Sequence, residues 1–243
     1  LLYDITPGIG KDAHFAPDYA IGLRLGWGGL LAKVRARLAQ TPLSNQESLD
    51  LYRAEEDALL GVQDLIRRTA REAQEKGLSE LARINARLIE HPPQTLREAC
   101  QWIAWFNIAS RTYNRDGAGG QLDTLLRPYY EKDKADGLID DDDAVFYLFC
   151  LLLNDPHYYQ IGGPDESGAD QTSALSYLIL QAARLLKSTC NITIRVHDGL
   201  PEALFDEGVR CLVEERQSFP RFSGDAALCS GFVKNGYPVE LAR

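Results

Sequence analysis

Ile192, Ile194 and Val196 alternate with Thr193, Arg195 and His197. This period-two pattern marks a half-buried strand. Most of the remaining apolar residues recur at helical spacing, so the chain is predicted to be predominantly helical with a strand set among its helices. A purely helical scaffold has no place for a buried strand. The lack of an internal repeat also counts against an α-solenoid.

The helices are read from caps and periodicity. One is expected to begin near Ala16. Ser44 and Glu47 have the spacing of a capping box ahead of Leu51, Ala54, Ala58, Val62 and Leu65, which predicts a long amphipathic helix running to Gly77. Thr95 and Glu98 form a second capping box after Pro92-Pro93. The following Ala99-Cys100, residues 102–106 and Ile108-Ala109 are apolar nearly all round, so that helix is expected to be buried on most sides. Asp140 to Asp143 could in principle hold a hard cation. An N-cap and acidic first turn ahead of an apolar helix over 144–153 explain them without one, and no metal is expected. A further helix is predicted from Asp170 with Leu175, Leu178, Ala182 and Leu185 on one face, and another from Pro201. No low-complexity linker appears, so residues 1–243 read as one compact unit.

Composition excludes several classes. A net charge of -9, with the basic residues dispersed among acidic ones, gives no footprint for nucleic acid. The longest apolar run, residues 144–153, is half of the roughly 20 residues that a membrane-spanning helix needs, and no signal peptide is visible. Cys100, Cys150, Cys190, Cys211 and Cys229 lie far apart, without a CxxC pair or zinc spacing. A reduced, cytoplasmic location is the default, with all five expected to be small buried hydrophobes.

Candidate chemistry concentrates in residues 113–123, Tyr-Asn-Arg-Asp-Gly-Ala-Gly-Gly-Gln-Leu-Asp, expected to be a polar loop leaving the buried helix. Its glycines permit close backbone approach, which suits ligand contacts as well as a plain surface loop. No Walker lysine follows, so it is not a phosphate cradle. His157 is expected in a helix-terminating turn, and His197 either serves a site or hydrogen-bonds internally.

Three elements occur in order: Arg127-Pro128-Tyr129-Tyr130-Glu131-Lys132-Asp133, then Gly162-Gly163-Pro164-Asp165 running to Asp170, then Arg195-Val196-His197. In order and spacing they resemble the glycyl radical enzymes, the pyruvate formate-lyase-like superfamily of radical lyases and dehydratases. Upstream, His14 with Pro17-Asp18-Tyr19 resembles the family's opening segment, and residues 92–102 resemble its long buried helix. Residues 220–243 resemble the segment leading into its thiyl-radical loop. The family's Gly-Cys-Val/Glu loop and Arg-Val-x-Gly-Tyr loop have no counterpart in these residues. The chain is therefore expected to be an N-terminal and central portion of such an enzyme and inactive alone.

The resemblance implies an α/β fold: part of a ten-stranded α/β barrel wrapped by helices, predominantly helical in this segment. It implies radical cleavage of a C–C, C–O, C–N or C–S bond in a small polar substrate. The cofactor would be a protein-derived glycyl radical, not on this chain, installed by a radical S-adenosylmethionine activating enzyme. A homodimer in an anaerobic cytoplasm is implied as well. Gln121-Leu122-Asp123 falls on the family's Arg-Phe-Asp, which places Arg115 and Asp116 where radical eliminases present a His-Ser pair to a hydroxyl-bearing substrate. An Arg/Asp pair instead offers a carboxylate-binding fork and an acceptor or base, matching a substrate with a carboxylate or ammonium group. His14 falls where the family's His-x-x-x-Asp-Tyr segment approaches the substrate, and imidazole there could exchange a proton with a leaving hydroxyl. A structural role in a turn is the alternative. For the whole chain the alternative is a non-catalytic fragment or homologue that acts as a scaffold or small-molecule binding module.

Overall fold

The structure, a computed structural model, describes residues 16–110, 118–154, 158–186 and 190–242. These fall into two compact units, Asp18–Ala109 and the chain from Ser110 onward together with residues 16 and 17.

The first unit is helical. Helix α1 (Tyr19–Gln40) starts three residues later than Ala16, because the Asp18 carboxylate accepts from the Ile21 N–H at 3.2 Å and sets the first turn. Gly26 breaks its helical geometry with φ +64°. A Cβ there would lie 2.5 Å from the Pro92 nitrogen, so only glycine allows this approach of two backbones. Helix α2 (Gln46–Glu75) is capped by Asn45, whose side chain accepts from the Ser48 N–H at 3.2 Å; Ser44 is not the cap. Its buried stripe also differs from the expected one. Leu49, Gln63, Ile66, Ala70 and Ala73 are buried, whereas Leu51 is 55% exposed. The stripe runs through polar Gln63, which donates to the Ile89 carbonyl at 2.8 Å, and that polar residue hides the stripe from a purely apolar pattern.

Helices α3 (Ser79–Leu88) and α4 (Leu96–Ser110) complete the unit. Burial of α4 nearly all round matches its apolar sequence. Trp102 stacks on Trp27 with centroids 4.8 Å apart, and Gly22 leaves room for its ring. Two of the unit's buried polar pairs are joined, Trp105 donating to Asn85 at 2.7 Å and Tyr19 to Asn107 at 2.5 Å, whereas the Nε1 atoms of Trp27 and Trp102 are buried without a hydrogen-bond partner among the described residues. Thr95 caps α4 through the Glu98 N–H at 3.2 Å. The Glu98 carboxylate closes on the Gln94 N–H and on Arg87 rather than on Thr95, so only half of the expected box forms.

The second unit alternates strands and helices: β1 (Ala118–Gln121), α5 (Leu122–Ala135), α6 (Asp141–Asn154), β2 (Tyr158–Gly162), α7 (Ala174–Leu185), β3 (Ile192–Val196), α8 (Glu202–Val213), β4 (Arg221–Gly224), α9 (Asp225–Lys234) and α10 (Val239–Ala242). The strands form one parallel sheet in the order β1-β2-β3-β4. Asp140 and Asp143 cap α6 reciprocally, each backbone N–H meeting the other's carboxylate at 3.2 and 2.9 Å. The helix expected from Asp170 starts at Ala174, because Asp170 instead bridges to Pro164 and its carboxylate holds the Thr172 hydroxyl and N–H. Leu185, expected on its buried face, is 56% exposed. Residues 118–121, expected as loop, are strand, and Leu122 already begins α5. Of the cysteines, Cys100, Cys190 and Cys211 are buried, but Cys150 is exposed and Cys229 half-buried.

The two faces of the sheet differ chemically. Tyr159, Ile161, Ile192 and Ile194 are fully buried on the helix side, where α8 brings Gly208 against Ile194 and Phe222. The alternate positions, Gln160, Thr193, Arg195 and Ser223, are polar and only half-buried. A parallel sheet with one apolar, helix-covered face and one polar face suits the wall of a barrel whose lumen is polar.

Candidate functional site

The C-terminal edge of this sheet gathers the polar residues. Arg195, near the end of β3, points its guanidinium along the polar face. Nε and Nη2 donate to Asp225 at 3.0 and 2.6 Å, and Nη1 donates to the Gln121 side-chain oxygen at 3.0 Å. The Gln121 amide then donates to the Gly162 carbonyl. Since Gln121 ends β1, Gly162 ends β2 and Asp225 follows β4, a single chain of hydrogen bonds ties the ends of all four strands. Gly163 makes room for it: its φ is +92°, and a Cβ would fall 2.9 Å from Arg195 side-chain atoms. With side chains only 13% and 8% exposed, Arg195 and Asp225 form a nearly buried, fork-to-carboxylate pair. Its charge is spent internally, so Arg195 organises the edge and is no open anion receptor.

Asp123 supports the same edge from beneath. Its fully buried carboxylate accepts from the Gly162 N–H at 2.7 Å, the Ser176 hydroxyl at 2.5 Å and the Thr124 N–H at 2.9 Å. Burial nevertheless dominates and pushes its pKa up to about 6, against these hydrogen bonds and the charge of Arg127. Arg127 in turn donates to the Gln171 side chain at 2.9 Å, and the Gln171 N–H donates to the Gly163 carbonyl at 2.9 Å. The segments around Arg127, Gly162 and Arg195, far apart in sequence, therefore meet at one place.

A cavity of about 540 Å³ opens beside the ends of β3 and β4, lined by Val196 to Gly199, by Gly224 to Ala227, and by Pro164, Gly168 and Cys229. His197 stands in its wall with both ring nitrogens engaged. The Gly199 N–H donates to Nδ1 at 3.2 Å, so Nε2 carries the hydrogen and donates to Asp170 at 3.1 Å. It pins the turn after β3 and has no free nitrogen for proton transfer. Asp198 adds an exposed carboxylate to the lining, whereas the Asp225 carboxylate is already held by Arg195.

His14, Arg115 and Asp116, the substrate-binding residues expected from sequence, lie outside the described residues, as does His157. Sequence reasoning named Arg195, His197 and, within Gln121-Leu122-Asp123, Gln121, but it did not name Asp225 or join these residues. The partners are 30 and 74 residues from Arg195, and no local pattern joins them. Among the described residues no group of His, Cys, Asp and Glu is arranged to hold a metal ion, and no helix is long and apolar enough to cross a membrane.

Similarity to known proteins agrees with this architecture. Isethionate sulfite-lyase of Nitratidesulfovibrio vulgaris is 28% identical over 65% of the chain and 22% of its own length. The enzyme of that name from Oleidesulfovibrio alaskensis is 25% identical over 98% of the chain and 33% of its own length. The chain thus spans a third or less of these relatives. Among solved structures, the glycerol-bound B12-independent glycerol dehydratase from Clostridium butyricum superposes with a TM-score of 0.88 over 97% of the chain and 34% of its own, at 22% identity. A glycyl radical enzyme from Archaeoglobus fulgidus does so with a TM-score of 0.83 over 95% and 34%, at 21% identity. The four-stranded parallel sheet and its helices are therefore an α/β portion of a glycyl radical enzyme barrel. The family model for pyruvate formate lyase-like proteins matches residues 4–243, and the chain belongs to that family, within the glycyl radical enzymes.

Proposed function

We propose that residues 1–243 supply barrel scaffold and part of the substrate wall of a glycyl radical lyase or dehydratase. Such an enzyme cleaves a C–C, C–O, C–N or C–S bond in a small polar substrate. The observation that carries this reading is the polar face of the parallel sheet, whose strand ends are locked by Gln121, Arg195 and Asp225 beside a cavity of substrate size. A locked rim keeps the geometry around a bound substrate fixed, which is what positioning a reactive bond requires. A protein-derived glycyl radical, carried outside these residues and installed by a radical S-adenosylmethionine activase, would supply hydrogen-atom abstraction. Arg115 would fork a substrate carboxylate, Asp116 would hold a substrate ammonium or hydroxyl, and His14 would pass a proton to a leaving hydroxyl. The whole enzyme would work as a homodimer in an anaerobic cytoplasm.

The test is anaerobic activation of the full polypeptide with its activase, followed by electron paramagnetic resonance. Product analysis would then cover the substrates named for relatives: isethionate, trans-4-hydroxy-L-proline, 4-hydroxyphenylacetate, glycerol and 1,2-propanediol. A glycyl radical signal with turnover of one of these or of a related small polar compound is expected. Failure to form the radical with an activase that charges a relative would overturn the proposal.

A further inference from the structure

The helical unit contains a second concave surface, remote in sequence from the sheet. Between α2 and α3 runs a groove of about 360 Å³, with Arg67 and Arg71 one helical turn apart on one wall and Arg83 on the other. Ala70 and Ala82 lie buried in its lining with Ala86 exposed beside them, and no carboxylate lines it.

In a chain of net charge -9, a groove lined by three arginines and no carboxylate needs an explanation. Three of the carboxylates close by are already paired with basic side chains. Asp64 meets Arg68 at 2.9 Å and Arg67 at 3.5 Å, Glu72 meets Lys76 at 2.8 Å, and Glu80 meets Arg97 at 2.7 Å. Among the described residues neither Arg71 nor Arg83 has a carboxylate partner, and both are exposed. We propose that the α2–α3 groove docks an acidic helical segment of a partner protein.

Charge complementarity selects an acidic occupant. The shape selects a helix over a small anion. Small-molecule sites enclose most of their ligand, whereas this groove lies open along two helices, and the small alanines in its lining admit a third helix at close range. Carboxylates one turn apart on the incoming helix would match the spacing of Arg67 and Arg71, and a carboxylate on the neighbouring row would reach Arg83.

The probe is a fluorescent synthetic helical peptide of alanine, leucine and glutamate, with the glutamates one turn apart, and its glutamine counterpart as control. Anisotropy is measured with the full polypeptide and with R71E/R83E, a surface variant whose circular dichroism melt checks its fold. The glutamate peptide is expected to bind, to weaken as sodium chloride is raised, and to bind the variant at least about tenfold less tightly, while the glutamine peptide does not bind. Absence of binding, or binding indifferent to R71E/R83E, overturns the proposal. So does displacement of the peptide by inorganic phosphate at equal charge concentration, which would make the groove a small-anion site.

Discussion

Replacing Arg195 by alanine is the most direct trial of the rim. The substitution removes two charge-assisted hydrogen bonds to Asp225 and one to Gln121, and leaves the Asp225 carboxylate, 8% exposed, without its cation. Stranding one member of a buried pair costs about 3–5 kcal/mol, and the slight exposure of this pair lowers the expectation to roughly 2–4 kcal/mol. Asp225→Ala should cost a similar amount, because it strands the guanidinium. The double variant should cost clearly less than the sum, with a coupling of about 2 kcal/mol, since neither charge is then left unpaired. Arg195→Met separates loss of charge from loss of the packed stem. Urea unfolding followed by far-UV circular dichroism gives the free energies, and hydrogen exchange at β3 and β4 locates the weakened strands. Additive single costs, or an Arg195→Ala cost below about 1 kcal/mol, would refute the rim as a locked element.

Asp123 should make stability depend on pH: with its folded pKa raised to about 6, the folded protein keeps a proton that the unfolded chain releases from about pH 4 upward, so stability should fall by about 2–3 kcal/mol between pH 4 and 6, and Asp123→Ala should remove that slope in urea melts. Gly163→Ala should destabilise by about 1–3 kcal/mol, from its positive φ and its collision with Arg195, and should cost less in an Arg195→Ala background. Alanine at His14, Arg115 or Asp116 in the full, activated enzyme should lower kcat/KM by about 10²-fold or more with the radical yield unchanged; an unchanged kcat/KM would remove that residue from the substrate wall. Residues 1–243 expressed alone should self-associate through Leu228, Phe232, Tyr237 and Leu241, each about half-exposed or more, and a sharp monomer peak on size exclusion would count against this.

Helices were legible in the sequence where burial follows a clean period. The all-round apolar α4 and the aspartate-capped α6 are both found as expected, and β3 stands out because isoleucine and valine alternate with polar residues across its whole length. The other strands were hidden for separate reasons. β1 is Ala-Gly-Gly-Gln, a composition of turns, and is strand through its parallel pairing with β2, whose Tyr159 packs where a side chain at Gly119 would be. β2 begins four residues after α6 ends, and β4 has four residues. In α2 the apolar series from Leu51 misplaced the buried face because Gln63 is inside. At the site, Arg195 was visible as part of a motif, but its role depends on partners that only the fold brings near.

The strand order also bears on how the polypeptide comes to be folded. Every strand lies beside the one synthesised just before it, so each newly emerged strand and helix finds its template already standing, without waiting for distant chain. The bonds from Arg195 are the exception, because they need the end of β1 and the residue after β4 at once. They can close only when α9 has begun, so the rim clasps these four strands after each has been laid beside its neighbour.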